Sequence, residues 1–306
     1  MSEPKKQHFI PQFLLKNFAE GKKKQGRLWT FDKRNGRSYA SSVRDTAHEN
    51  SFYESTNLDN ESIEAENLTR FVDDIGASAV REVIGSKRLG LRGKQAVSLS
   101  YLMASQMVRV PSERNALDFV RRAMIAKWGA DIRFEGDDRP ISAYSNEDSK
   151  FSSILALKSV PEFAKILQTK IWFLLLAPGN SAFTLSDNPV VKHNYLDYGP
   201  RGSLGIRQDG IDIYLPISPK FALQCVCPKM AFLLRRTAVG RKMIKLQRRG
   251  WPIPAQPEAV TFVNSLQVIQ SERYLYGAKR SDFDLAIDML REHPDLAIPA
   301  SEKTVH

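Results

Sequence analysis

Residues able to do chemistry are scattered through this sequence rather than gathered in one motif. His8 stands just ahead of a short apolar segment, Phe9-Ile10-Pro11-Gln12-Phe13-Leu14-Leu15. The positive end of a helix disfavours a second positive charge, so a neutral imidazole is expected there, able to act as a metal ligand, a base or a structural hydrogen-bonder. Glu64 and Asp187 supply carboxylates. Gln12, Gln106, Asn188 and Asn264 supply amides, and Arg109 and Arg114 supply guanidiniums that hold phosphate or carboxylate bidentately. If these converge, His8 with Asp187 or Glu64 would hold a hard divalent metal such as Mg or Mn, with Arg109 on an anion. His8, Glu64 and Asp187 are then the candidate catalytic residues and His8 and Asp187 the candidate metal ligands. Gln12, Gln106, Arg109, Arg114, Asn188 and Asn264 are the candidate substrate contacts. The chain has no P-loop, dinucleotide fingerprint, Gly-x-Ser-x-Gly elbow or His-Glu-x-x-His helix.

The elements that must position these groups follow from periodicity. Pro11, Leu14, Leu15 and Phe18 fall at i, i+3, i+4 and i+7, so a short helix docks one apolar face into a core. It is expected to share that core with Ile171–Leu176 and to set the His8 motif beside Ser186-Asp187-Asn188-Pro189. Leu28–Phe31 and Ser38–Val43 flank Asp32-Lys33-Arg34-Asn35-Gly36-Arg37 and read as a hairpin. A long helix over 61–84 presents Leu68, Phe71, Val72, Ile75, Ala79 and Val83, with Glu64 on that face and Asp73 pointing away. A buried Glu64 needs a partner: an arginine, His8 or a metal. A helix over 93–109 puts Gln106 and Arg109 on one face. Another, capped by Ser112, carries the stripe Leu117, Val120, Met124 and Trp128. Residues 131–150 read as an exposed polar insertion.

The second half reads as mostly strands. Ile171–Leu176 is a buried strand, with Phe183–Leu185 returning against it after Pro178-Gly179-Asn180. Asp187 ends that return, either as a functional carboxylate or as a turn residue capping backbone N–H groups. Ile211–Pro216 and Phe221–Val226 are further strands, and a helix over 258–273 carries Asn264 and Gln267. Ser281 and Asp284 suggest a capping box for a last helix, and the chain beyond Pro294 reads as a loose tail. These elements predict an α+β fold in one domain over 1–306, its helical N-terminal half packed on a β-rich C-terminal half. Residues 277–306 form an appended helix and tail.

Several stretches also carry a family resemblance: His8-Phe9-Ile10-Pro11, Leu28-Trp29-Thr30-Phe31-Asp32-Lys33, Ser51-Phe52-Tyr53, Gln106-Met107-Val108-Arg109, Ser186-Asp187-Asn188-Pro189-Val190 and Leu215-Pro216-Ile217-Ser218-Pro219. Together, over about residues 7–276, they resemble the bacterial family called domain of unknown function 4238. The resemblance marks these positions as candidates and implies no particular activity.

Composition bounds the function. The chain has 306 residues, 42% hydrophobic and 26% charged, with a net charge of +11. No apolar run reaches the length of a membrane span, and Met1–Gln7 has no signal-peptide character, so the default expectation is a cytoplasmic protein with no membrane partner. Cys225 and Cys227 lie in an apolar run and read as buried strand thiols. Seven basic residues and no acidic one lie between Arg235 and Arg249, among them Arg241, Lys242, Lys245, Arg248 and Arg249. Lys22, Lys23, Lys24 and Arg27 form a smaller cluster. Such charge favours nucleic acid as a partner, or else forms solvated faces. Two functional expectations follow. One is a metal-assisted phosphodiester hydrolase, nuclease-like, built on His8, Glu64, Arg109 and Asp187. The other is a non-catalytic nucleic-acid- or protein-binding module using 235–249. A third reading makes the motif residues structural.

Overall fold

In chain order, β1 (Lys6–His8) leads into α1 (Gln12–Lys16); β2 (Arg27–Asp32) and β3 (Arg37–Ser42) form a hairpin, and β4 (His48–Asn50) returns to β1. Five helices follow: α2 (Asp59–Ser86), α3 (Lys94–Val108), α4 (Pro111–Trp128), α5 (Asn146–Ala156) and α6 (Val160–Gln168). Then come β5 (Ile171–Leu176), β6 (Leu185–Ser186), β7 (Val191–Asn194), β8 (Ile211–Ser218), β9 (Phe221–Val226), α7 (Pro228–Leu234) and α8 (Ala238–Arg248). β10 (Ile253–Pro254), α9 (Pro257–Gln270), β11 (Tyr274–Gly277) and α10 (Asp284–Glu292) complete the order. This computed structural model describes residues 6–20, 26–50, 59–198 and 204–302; Lys22–Lys24 and Ser51-Phe52-Tyr53 lie outside them. The fold is α+β, with helices dominating the N-terminal half and sheets the C-terminal half.

Besides the two-stranded β1-β4 sheet there are two larger ones among the described residues: one runs β10-β5-β9-β8-β7, the other β3-β2-β11-β6. The first is buried on both faces, which is why β5 reads Ile-Trp-Phe-Leu-Leu-Leu without alternation. Trp172 and Leu174 face a core shared with α1, α2, α3 and α6. Phe173 and Leu175 face a second cluster with Ala231, Ile244, Val260 and Val263 from α7, α8 and α9. The second sheet packs Phe31 and Leu275 against Val268 of α9, Phe283 and α10. Helix α9 therefore backs both sheets.

The opening helix lies where its apolar face requires. Leu14, Leu15 and Phe18 are fully buried in the core that holds Trp172 and Leu174, and Asn17 Nδ2 donates to Ile217 O on β8 (3.0 Å). In the β2–β3 turn Gly36 takes φ +67°, the left-handed conformation that glycine adopts freely.

Four local expectations are corrected. Phe183–Leu185 does not return against β5: β5 pairs with β9 and β10, while β6 pairs with β11 in the other sheet. On α2, Val72, Ala79 and Val83 are buried as expected, but the stripe is completed by Ala65, Thr69 and Gly76. At Gly76 a Cβ would stand 3.2 Å from Leu102 of α3. Phe71 and Glu64 are left exposed. On α4, Leu117, Val120 and Trp128 are exposed, and the helix starts on Pro111 with Val110 as cap, not Ser112. Finally, the cap near α10 is Asp282, which accepts from Lys279 N (2.9 Å), and the chain through Glu302 is packed: Leu296 joins the third cluster and Ser301 binds Glu272.

Candidate functional site

His8 ends β1 opposite His48 on β4. Its Nε2 lies 3.1 Å from Arg44 O, and a carbonyl only accepts, so Nε2 carries the proton. Gln12 Nε2 donates to Nδ1 across 3.4 Å. Burial, then the neighbouring His48 ring, lowers the pKa of His8 from its ordinary 6.5, favouring the neutral imidazole. The backbone carbonyls of Arg44 and Val43 oppose this.

Gln106 and Arg109 share a face of α3 and its end, and they converge on the opening motif. Phe9 O accepts from Gln106 Nε2 (3.2 Å) and Arg109 Nε (3.0 Å). The Arg109 guanidinium, 1% exposed, is also paired with Asp73 of α2 through Nη1–Oδ1 (2.9 Å) and Nη2–Oδ2 (3.1 Å). A buried guanidinium needs such a partner, and removing one member of a buried pair costs roughly 3–5 kcal/mol. Asp73, not Glu64, is thus the carboxylate on this arginine: Asp73 is half-buried beside Val72, while Glu64 is exposed. Arg114 pairs with Glu49 of β4.

Asp187 is buried, and its carboxylate is an acceptor for three successive backbone amides at the start of β11. Oδ1 takes Glu272 N (2.8 Å), while Oδ2 takes Arg273 N and Tyr274 N (both 2.7 Å). Burial pushes its carboxyl up, to about 6, against the pull of those donors and of Lys33. Lys33, also buried, donates to Val268 O (3.3 Å) and Ser271 O (2.7 Å), so its ammonium sits at the negative end of α9.

The amides complete the turn. Asn264 accepts from Thr184 N (2.9 Å) and donates to Ala182 O (2.8 Å). Gln267 accepts from Ser186 Oγ (2.6 Å) and donates to Pro189 O (3.0 Å). Gln270 accepts from Lys192 N (3.0 Å) and donates to Lys192 O (2.7 Å). Asn188 Nδ2 donates to Gln270 O (3.0 Å). Three side-chain amides spaced three residues apart on α9 therefore hold the segment 182–192.

These two groups meet at a cleft of about 410 Å³ whose lining includes Phe9, His48, Glu49, Asp187, Glu272 and Tyr274. Glu64 is not in it. Each of the cleft's acids is already engaged: Asp45 with Lys6, Glu49 with Arg114, Asp187 with backbone, and Glu272 with Asn115 and Ser301. Among the described residues no three His, Cys, Asp or Glu side chains stand together as a metal-ligand set.

A second region is chemically different. Three adjoining hollows run from α8 to the turn before β5. The first, about 380 Å³, is lined by Arg235, Arg241, Lys245, Arg248 and Arg249 beside Ile244. The next, about 460 Å³, shares Arg248 and Arg249 and adds Arg92. The third, about 540 Å³, shares Arg92 and Arg248 and adds Lys170. No Asp or Glu is among the residues that line them. None of Arg92, Lys170, Arg235, Arg241, Lys242, Lys245, Arg248 and Arg249 forms an ion pair with another described residue. Trp251 lies alongside, half-exposed, with the Arg88 and Arg249 guanidiniums over its ring at 5.9 and 5.3 Å. The charge run of α8 was visible in sequence. Arg88, Arg92 and Lys170 lie in other segments and join it only in three dimensions.

The fold and its two polar regions define an α+β chain whose motif residues are drawn into internal hydrogen bonds and which carries a separate basic track. By sequence, the chain belongs to the family described as "Protein of unknown function (DUF4238)", whose model matches residues 6–281. Neither curated proteins nor solved structures give a match. No helix among the described residues is long and apolar enough to cross a membrane.

Proposed function

We propose that this protein binds nucleic acid through the basic track formed by α8, the turn around Arg92 and the turn at Lys170. One observation carries the reading: three contiguous hollows lined by basic and neutral residues, with no acid among the lining and no described ion pair to neutralise them. Unpaired guanidiniums and ammoniums in a groove bind phosphates by releasing condensed counterions. The half-exposed Trp251 beside the groove offers a face on which a base stacks. The hydrolase reading, with catalysis by His8, Glu64 and Asp187, draws less support. Glu64 is exposed on α2, both ring nitrogens of His8 face protein partners, and Asp187 is saturated by backbone donors.

The test is fluorescence polarisation with labelled DNA and RNA across a salt series. About five phosphate contacts give a slope of log K against log salt of roughly −3.5 to −4.5. Reversing charge at Arg241, Lys242, Arg248 and Arg249 together should abolish most of the affinity, whereas His8→Ala should leave it unchanged. Affinity independent of salt, or unmoved by the four reversals, would overturn the reading.

A further inference from the structure

The third hollow differs from the rest of the track in being built rather than merely charged. It lies at the N-terminus of α3, where the cap residue Gly93 has no side chain to satisfy the first-turn N–H groups and the first turn carries no acid. An uncapped N-terminus presents amides and a partial positive charge to an anion. Arg92 and Arg248 flank it, with Gln247 beside them.

Lys170 supplies the independent observation. It lines this hollow, is only 7% exposed, and its Nζ makes no hydrogen bond or ion pair with any described residue. Neither carboxylate that acts on it bonds to it: Asp209 accepts from Lys229 (2.8 Å), and Asp212 accepts from Gln224 through Oδ2 (2.8 Å) while its Oδ1 has no hydrogen-bond partner among the described residues. The side chain is largely buried and its ammonium has no carboxylate partner among the described residues, so an anion entering the hollow would supply one. Burial depresses the Lys170 pKa, in keeping with an ammonium lacking its counter-ion.

We propose that this hollow is a binding pocket for a terminal phosphate, a phosphomonoester dianion held by Lys170, Arg92, Arg248 and the first amides of α3. Three cations and a helix N-terminus match a dianion better than the single charge of an internal phosphodiester. The phosphate belongs either to the end of a nucleic-acid strand or to a free nucleotide. The strand-end form rests on the nucleic-acid reading above; the pocket itself does not.

Oligonucleotides of one sequence, carrying a 5′-phosphate, a 3′-phosphate or neither, would be compared by polarisation. Inorganic phosphate and AMP would be titrated by calorimetry. The expected result is about tenfold tighter binding of one phosphorylated end, with that difference removed by Lys170→Met and by Arg92→Gln. Arg92 is exposed, so its variant keeps the test open should Lys170→Met fold poorly. If no oligonucleotide binds but AMP or phosphate gives heat that Arg92→Gln and Lys170→Met remove, the nucleic-acid reading fails and the pocket stands as a site for small phosphorylated molecules. If terminal phosphates change nothing, and neither AMP nor phosphate binds in a way that depends on these residues, the pocket is overturned.

Discussion

His8 and His48 face each other across the β1–β4 pair with ring centroids 5.5 Å apart. Both have pKa values below the ordinary 6.5, chiefly through burial. The unfolded chain therefore takes up protons on these rings at a higher pH than the folded chain does. Their contribution to stability is present above about 6.5 and is lost as the pH falls through that value. Asp187 and Asp212, both held up to about 6, act in the opposite sense, and comparison with a single-site variant cancels them. The stability advantage of the wild type over His48→Gln should shrink between pH 7.5 and 5.5, read as the difference in urea midpoints. An advantage that grows on acidification would contradict this account.

At the scale of elements, α1 shows how a very short helix is held. Five residues cannot form a stable helix alone, so burial must supply the stability. Phe18→Ala should cost about 3–5 kcal/mol, measured by denaturant unfolding, because the ring fills a core shared by α1 and β5. A stability unchanged by the substitution would place the ring outside that core. Elements such as α1, the β2–β3 hairpin and β5 were legible in sequence because their signals are local: a helical period, an Asn-Gly turn, an apolar run. The partners of β5 were not, since strand pairing joins residues far apart in the chain. On α2, Val72, Ala79 and Val83 were read correctly, but Phe71 looks like a core residue and is exposed, whereas small Gly76 lies against α3. Gln106 and Arg109 were legible as a pair on one face. Their target, the carbonyl of Phe9, was not, because a backbone acceptor leaves no mark in the residue types.

Across the whole molecule, α9 is the element that both sheets share, with Val260 and Val263 on one and Val268 on the other. Its side-chain amides also bind the backbone of 182–192, which includes part of the edge strand β7. An edge strand normally leaves a row of groups open to pairing with another chain, and Gln270 occupies both groups of Lys192. This arrangement decides how the protein opens. Thr184 and Lys192 amides are guarded by acceptors that belong to α9, so their exchange with solvent deuterium should follow the release of that helix. Asn264→Ala should speed exchange at Thr184, and Gln270→Ala at Lys192, while amides of the central strand β9 keep their protection. Exchange at Thr184 and Lys192 as slow as in the wild type would show that other contacts guard them. The helix and the segment it grips then form one cooperative unit of partial unfolding, assembled from pieces some eighty residues apart in the chain.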